Sequence, residues 1–519
     1  TYDFRGSYSE AKGGAINFNA VFALPSFVED FGQSAFFNDV NDHEFIFAFN
    51  VPGENEQKTT ELSLKADWRN EGFDVTTVVA YNNLEEYLLS DGTSASFYGY
   101  ELTEQCQTDR ATLNNRPGDV GGAGRSDLFG DFLSPFVVLP PGQDFQGVYG
   151  PYTPSSCDGY QYQERSQQDY SGEIRFTSND TDSPLQWIAG VYFANIDRDV
   201  VVAYGADLGQ GFLRQAYVPA DGPNPTDLLF DDTFSTTVLS TFGQIEYDVN
   251  DKWEVSFALR YDNESREVAN NVPNVSASGF NVNTIVDGVV GPINPAFTAN
   301  PDGIPDREQS FSQWQPKLTF SYEASDALNL YASYGVGFRS GGFNSIGTEA
   351  TLDFWFNASG AGTPGDAVDA QLIVPDNYDK EITTSIEFGG KGTFLDNRLK
   401  VNSAVFHTKV EDNQFFEFFA GPFGLLRAVT TIDELEIQGF EMDANYRVND
   451  NLSVFAGMGL IDSEIIENKN RPLSVGNEAP QTPKSSYTLG ISYDHEITSD
   501  LQLTTRIDYQ YVGETHFHT

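Results

Sequence analysis

Apolar and polar residues alternate along most of this chain, one for one. From Trp253 the odd positions read Trp253, Val255, Phe257, Leu259, Tyr261, and the even ones Glu254, Ser256, Ala258, Arg260, Asp262. Trp314, Pro316, Leu318, Phe320 and Tyr322 stand against Gln315, Lys317, Thr319, Ser321 and Glu323. Leu328, Leu330, Ala332, Tyr334, Val336 and Phe338 oppose Asn329, Tyr331, Ser333, Gly335, Gly337 and Arg339. Successive strand side chains point to opposite faces, so each segment has one greasy and one wet side. Helical periodicity is nearly absent. The pattern predicts fifteen strands, over 1–9, 57–69, 72–88, 167–178, 184–198, 233–249, 252–267, 309–323, 326–341, 379–392, 396–412, 429–449, 452–465, 484–496 and 500–514. Soluble sheets use ~5–6 residues per strand, whereas a tilted membrane strand needs ~9–11 or more.

The links between these segments alternate between long and short. Long ones cover 10–56, 89–166, 199–232, 268–308, 342–378, 413–428 and 466–483. Short ones are turn chemistry: Asn70-Glu71, Asn250-Asp251, Ser325-Asp326, Asp396-Asn397, Asp450-Asn451. Long loops on one rim and tight turns on the other mark an outer-membrane barrel, and sandwiches or propellers give no reason for the asymmetry. The expected fold class is all-β, an antiparallel transmembrane β-barrel.

Composition narrows the function classes. With 29 basic and 76 acidic residues the formal charge is −47, so a nucleic acid would meet repulsion almost everywhere. No apolar run approaches the ~20 residues of a membrane-spanning helix, which leaves β-barrels untouched. Two cysteines describe neither a disulfide scaffold nor a cysteine-ligated metal site. The chain opens at Thr1 in strand-like sequence, as an excerpt of a longer protein would.

Four motifs in order then resemble the TonB-dependent outer-membrane receptors. Leu330 to Asn344 (LYASYGVGFRSGGFN) is similar to that family's recurrent YASYS-GF-SGGFN strand, and Trp314-Gln-Pro-Lys317 to its W-x-P-K opening. Glu387, Lys391, Phe394, Asp396-Asn-Arg-Leu399, Asn402 and Phe406 follow its E-x-G-x-K-x-x-F-DNRL stretch. Ile437-Gln-Gly-Phe-Glu441 resembles its GFE strand, with Ala479-Pro480 and Tyr487 to Tyr493 after it. The specific likeness covers about 310–515, and residues 1–310 match in style only. It implies a barrel of about 22 strands around a plugged lumen, with residues 1–519 one part of that barrel domain and the plug outside this chain. The implied function is outer-membrane uptake of a scarce solute, a ferric siderophore or similar chelate, without enzymatic chemistry or a cofactor. The implied partners are the TonB-ExbB-ExbD energy-coupling complex, outer-membrane lipid and lipopolysaccharide, and a small solute. A passive porin-like channel, a barrel enzyme and an adhesion or structural barrel are the rivals.

Individual residues each carry a functional reading beside a plainer one. Cys106 and Cys157 share one long link, and outside the cytoplasm they are expected to pair, stabilising it by about 4 kcal/mol. Asn300, Asp302 and Asp306 look like a calcium turn, but Ile304 and Phe311 occupy positions where an EF-hand loop needs oxygen ligands, and an Asp-Gly turn explains them as well. His516 and His518 lie on one side of an extended segment, as a metal pair or as rim residues. Gly335, Gly337, Gly341 and Gly342 read as small lumen-facing residues leaving room for a plug. Phe415, Phe416, Phe418 and Phe419, around Glu417, fall in an outward loop and are either an apolar ligand contact or a strand tip at the membrane interface. Link 342–378 carries Glu349, Asp353, Asp366, Asp369 and Asp376 without Lys or Arg, which would draw in cations or simply suit a salty habitat.

The cysteine pairing is directly testable. Non-reducing mass spectrometry of a proteolytic digest should recover the Cys106 and Cys157 peptides linked. Two free thiols from an oxidised cell envelope would refute the pairing.

Overall fold

The computed structural model describes residues 1–14, 53–91, 159–206, 210–219, 222–272, 283–286, 289–292, 294–357, 372–421 and 424–516. Within it the alternation becomes one fifteen-stranded antiparallel sheet, each strand pairing with its neighbours in sequence. The strands are β1 (Tyr2–Gly13), β2 (Glu54–Arg69), β3 (Phe73–Asp91), β4 (Gly159–Ser178) and β5 (Leu185–Ala206). Then come β6 (Thr226–Asn250), β7 (Trp253–Asn270), β8 (Arg307–Ser325), β9 (Leu328–Arg339) and β10 (Glu381–Phe394). The last five are β11 (Leu399–Gly421), β12 (Gly424–Arg447), β13 (Leu452–Glu467), β14 (Ser485–Thr498) and β15 (Leu501–Val512). β1 and β15 form the two edges.

All fifteen expected strands are present, and most run further on the long-link rim than the hydrophobic pattern indicated. β4 starts at Gly159 and β5 continues to Ala206. The reason is physical. Beyond the bilayer both faces of the sheet meet water or loops, so the ladder continues while the apolar half of the alternation disappears. The same effect overturns one expected loop. Residues 413–421 and 424–428 are strand, paired as far as Gly421 and Gly424. Two short helices, α1 (Pro295–Ala299) and α2 (Thr348–Phe356), lie in the long links where no helix was expected.

The membrane zone is clearest on β7 and β8. Trp253 stacks on Tyr322 at 4.5 Å between ring centroids, and Tyr261 on Trp314 at 4.6 Å. Between these pairs Val255 faces Phe320, Phe257 faces Leu318, and Leu259 faces Pro316. Phe257, Phe320, Trp253 and Trp314 are all well exposed, as lipid-facing residues must be in a protein without its lipid. At ~3.4 Å per residue the two aromatic pairs stand about 27 Å apart along the strand, close to the ~25 Å apolar band of such barrels once tilt is counted. Aromatic rings at both ends anchor to the headgroup layers.

The opposite face is wet and heavily bonded. Asp262 is buried and accepts hydrogen bonds from Arg260 Nε at 2.8 Å, and from Ser240 and Gln315. Tyr331 donates to Glu387 at 2.6 Å, and Asn402 to Asp443 at 3.0 Å. Such groups belong beside water or another polar surface rather than acyl chains.

Face assignment gives a stability prediction. Phe257→Arg or Phe320→Arg should cost ~2–4 kcal/mol near the midplane, whereas Thr319→Arg on the inner face should cost less. Unfolding in lipid micelles measures this, and equal costs on both faces would contradict it.

Candidate functional site

The site is built where the sheet rises past the outer aromatic pair. In register, Tyr261 stands beside Thr241, which stands beside Val191, so Arg198 lies well above that level on β5. Its guanidinium sits over the Phe234 ring, 4.6 Å from the centroid. Burial lowers its pKa, and the positive charges of Arg165, Arg266 and Arg427 press the same way, while Tyr378 acts against them. Arg165 reaches Glu86 at 3.6 Å, and Arg266 reaches Glu264 at 3.0 Å while its Nε is buried without a partner. Among the described residues neither Arg198 nor Arg427 has a carboxylate partner. In a chain carrying 76 acids against 29 bases, a buried arginine on which three other arginine charges act runs against composition. Each guanidinium offers a planar fork of donors matched to anionic oxygens.

The second half is the tip of the β11–β12 hairpin. Phe415 stacks on Phe416 at 5.7 Å, and Phe418 meets Phe416 edge-on at 5.6 Å. Arg427 lies over Phe416 at 4.6 Å. Phe416 and Phe418 remain 37% and 51% exposed, whereas Phe419 is buried against Phe356 of α2 at 6.1 Å. Glu417 is bound by Arg471 at 2.6 Å and by the Thr430 hydroxyl at 3.1 Å. The sequence left open whether these rings anchor in the interface. Lys409, bridged to Glu434 at 2.9 Å and Glu411 at 3.3 Å, stands on β11 between the exposed Val405 and the Phe run. That charged interval, and about ten residues or roughly 34 Å of strand, separates the rings from the last lipid-facing pair, Val405 and Phe440.

The link from β9 to β10 joins the two halves. A Cβ on Gly341 would lie 2.4 Å from the Phe311 ring and from the Tyr378 carbonyl oxygen, so the segment is seated by close backbone approach. Gly341 and Gly342 therefore do not leave room in the lumen, as the sequence suggested, whereas Gly337 has open space beside it and a Cβ on Gly335 would meet only the Lys317 side chain at 3.7 Å. Asn344 donates to Pro375 and Val429 carbonyls at 2.9 and 3.0 Å and accepts from Val429 N at 2.7 Å. Asp376 accepts from Gly347 N and Glu349 N at 3.2 and 2.9 Å and pairs with Arg307 at 3.0 Å. Asp232 accepts from Asn270 at 2.8 Å and Ile346 N at 3.0 Å. Asp376 is thus committed inside the molecule rather than available on an acidic rim.

The other expected residues do not join this site. Cys106, Cys157, Asp366, Asp369 and His518 lie outside the described residues. Asn300 caps α1, donating to the Ala296 carbonyl at 2.8 Å, and Gly303 N closes a turn on Asn300 at 3.0 Å, which is ordinary turn chemistry. The His516 carbonyl accepts from Gln481 N at 2.6 Å. Among the described residues no group of three His, Cys, Asp or Glu side chains is arranged to hold a metal. The arginine set was missed because its members are far apart in sequence. The one available signal was their position toward the outer ends of strands, β4, β5 and β7 for three of them and the distant β12 for Arg427.

Comparisons with known proteins converge. The family model described as "TonB dependent receptor-like, beta-barrel" matches residues 3–518. A curated relative from Acinetobacter baumannii, "Probable TonB-dependent siderophore receptor PiuA", is 24% identical over 275 residues, 51% of this chain and 30% of its own length. The ferric yersiniabactin uptake receptor FyuA of Yersinia pestis superposes with a TM-score of 0.59 at 12% identity, over 100% of this chain and 57% of its own. The ferric-catecholate import receptor Fiu of E. coli K12, in its closed form, gives 0.56 at 14% identity, over 99% and 62%. At such identities these structures speak for the fold alone, and this chain spans less than two thirds of each relative's length.

Asp232 gives the site a pH dependence. Burial pushes its carboxyl up to about 7, helped by Asp231 and opposed by the hydrogen bonds from Asn270, Ile346 and Ser345. A carboxyl whose pKa rises on folding stabilises the fold fully below its unfolded value and loses that contribution as pH climbs through the folded one. Segment 344–349 should therefore be held more tightly at pH 5 than at pH 8, and Asp232→Asn should flatten the difference. Amide exchange corrected for intrinsic pH effects measures it. Protection that instead grows with pH would contradict the assignment.

Proposed function

Because the chain belongs to the TonB-dependent receptor family, we propose that it forms the ligand-capturing part of an active importer for an anionic, aromatic-bearing ferric chelate of the siderophore type. The family is one of outer-membrane barrels in Gram-negative bacteria, and of receptors rather than enzymes. The observation carrying the ligand class is the pairing of exposed Phe416 with Arg427, whose charge acts on buried Arg198 together with those of Arg165 and Arg266. The siderophore and ferric-chelate names attached to the relatives support the same class.

The physical argument runs from scarcity to geometry. A solute present at nanomolar levels requires about 12 kcal/mol of binding. Burying an aromatic side chain against a ligand contributes roughly 1.5–3 kcal/mol, so two or three rings supply a large part. Arginine forks add charge-assisted hydrogen bonds to catecholate, carboxylate or hydroxamate oxygens. The chain as a whole repels anions, but salt screens that field beyond ~8 Å, so attraction at the mouth must come from cations held there. Passage then needs energy: a plug in the lumen, pulled through TonB by the inner-membrane ExbB-ExbD complex, would release the captured chelate inwards.

The full-length receptor, expressed in a strain lacking its own ferric-chelate receptors, should take up radiolabelled iron offered as a ferric tris-catecholate, and only with TonB intact. Replacing Phe416 and Phe418 by Ser should weaken uptake at least about tenfold, given the burial energies above, without lowering folded barrel yield. Uptake that ignores TonB would indicate a passive pore. Failure with every anionic ferric chelate would overturn the ligand class.

A further inference from the structure

The two halves of the mouth lie on strands six places apart in the sheet, β6 and β12, which at ~4.8 Å per strand is about 29 Å along the wall. Nothing in the ladder fixes their separation across the opening, because a sheet of this width can flex. One short segment touches both. At its β6 end, Ile346 N donates to buried Asp232, which Asn270 of β7 also holds. At its β12 end, Asn344 exchanges two hydrogen bonds with Val429, as a peptide in a paired strand would, two positions from Arg427. Asp376 gathers the N–H groups of Gly347 and Glu349 between them and is itself clamped by Arg307.

An apolar bridge runs parallel to this polar one. Tyr204 and Phe230 from β5 and β6 pack in one buried cluster with Leu352 and Val374 of the link and with Phe419, Leu426 and Ala428 of the hairpin. Every end of the bridge is therefore buried and either bonded or packed. Such doubly anchored segments move as units rather than bending continuously.

We propose that segment 340–349 with α2 is a tie bar across the mouth, and that Asn344 and Asp232 are positioning residues setting the distance between the arginine wall and the phenylalanine hairpin. That both faces grip one ligand rests on the function proposed above; the mechanical coupling does not. A residue that merely stabilises its surroundings affects its own neighbourhood, whereas a tie bar transmits a change at one end to the other.

Hydrogen exchange on the full-length receptor separates these cases. Asp232→Ala should raise exchange in the hairpin peptide 413–430, on the far side of the opening, by roughly tenfold or more, and Asn344→Ala should raise it in the outer end of β6. Strands β13 to β15 should not change. Asp232→Asn, which keeps an acceptor for Ile346 N, should restore most of the hairpin protection. If Asp232→Ala loosens only 344–349 and leaves 413–430 as in the wild type, the tie bar is refuted whatever the ligand proves to be. Uptake of the ferric tris-catecholate probe adds a second readout, in which Asn344→Ala should raise the Michaelis constant while the maximal rate per folded barrel stays put. A wild-type receptor indifferent to the probe would count against the ligand class and leave the exchange result to decide the tie bar.

Discussion

Inside hydrocarbon a peptide N–H has no water to turn to, and leaving it unpaired costs several kcal/mol. Everything else in this chain follows from answering that demand with strands alone. The ladder runs without a break from β1 to β15, with only local register shifts, such as those beside Ala203 and Leu435. Because the backbone is satisfied sideways, side chains are free to alternate, and the two faces can serve incompatible solvents. Trp253, Val255, Phe257 and Leu259 meet lipid while Arg260 and Asp262, one step away, bond across a wet interior.

This division explains what was legible in the sequence. Where lipid lies on one side, period two is written directly in hydrophobicity, so every strand was found, while the pairing of the rings across β7 and β8 needed the register. Above the bilayer the same ladder persists while the code that reveals it vanishes. Gln163 to Asp169 continue β4 without a single apolar position to mark them as strand. The Phe415–Phe419 run failed to read as strand for the opposite reason, since rings stand on both of its sides, one packed on α2 and the other exposed. Asp232 and Asp376 could not be picked from 76 acids by any local rule, because what distinguishes them is burial and three backbone donors of segment 346–349, far away in sequence from both.

Charge tells a similar story on a larger scale. The chain totals −47, yet around buried Arg198 the charges of Arg165, Arg266 and Arg427 are all felt. Phe234 and Phe416 shield two of them with their rings, so the cations are kept from the surrounding carboxylates without being neutralised. The net charge of such a molecule is therefore a poor guide to what it attracts.

The pairing of β11 with β12 as far as Gly421 and Gly424 has an evolutionary side. A hairpin locked by its ladder can exchange the residues at its tip without moving the frame that carries them, since each substitution alters one face and leaves the register intact. Long floppy loops must be re-ordered whenever their contents change, but this tip behaves as a cartridge on a rail. Point changes at Phe416, Phe418 and Arg427 can therefore accumulate at this tip while the strands below stay untouched.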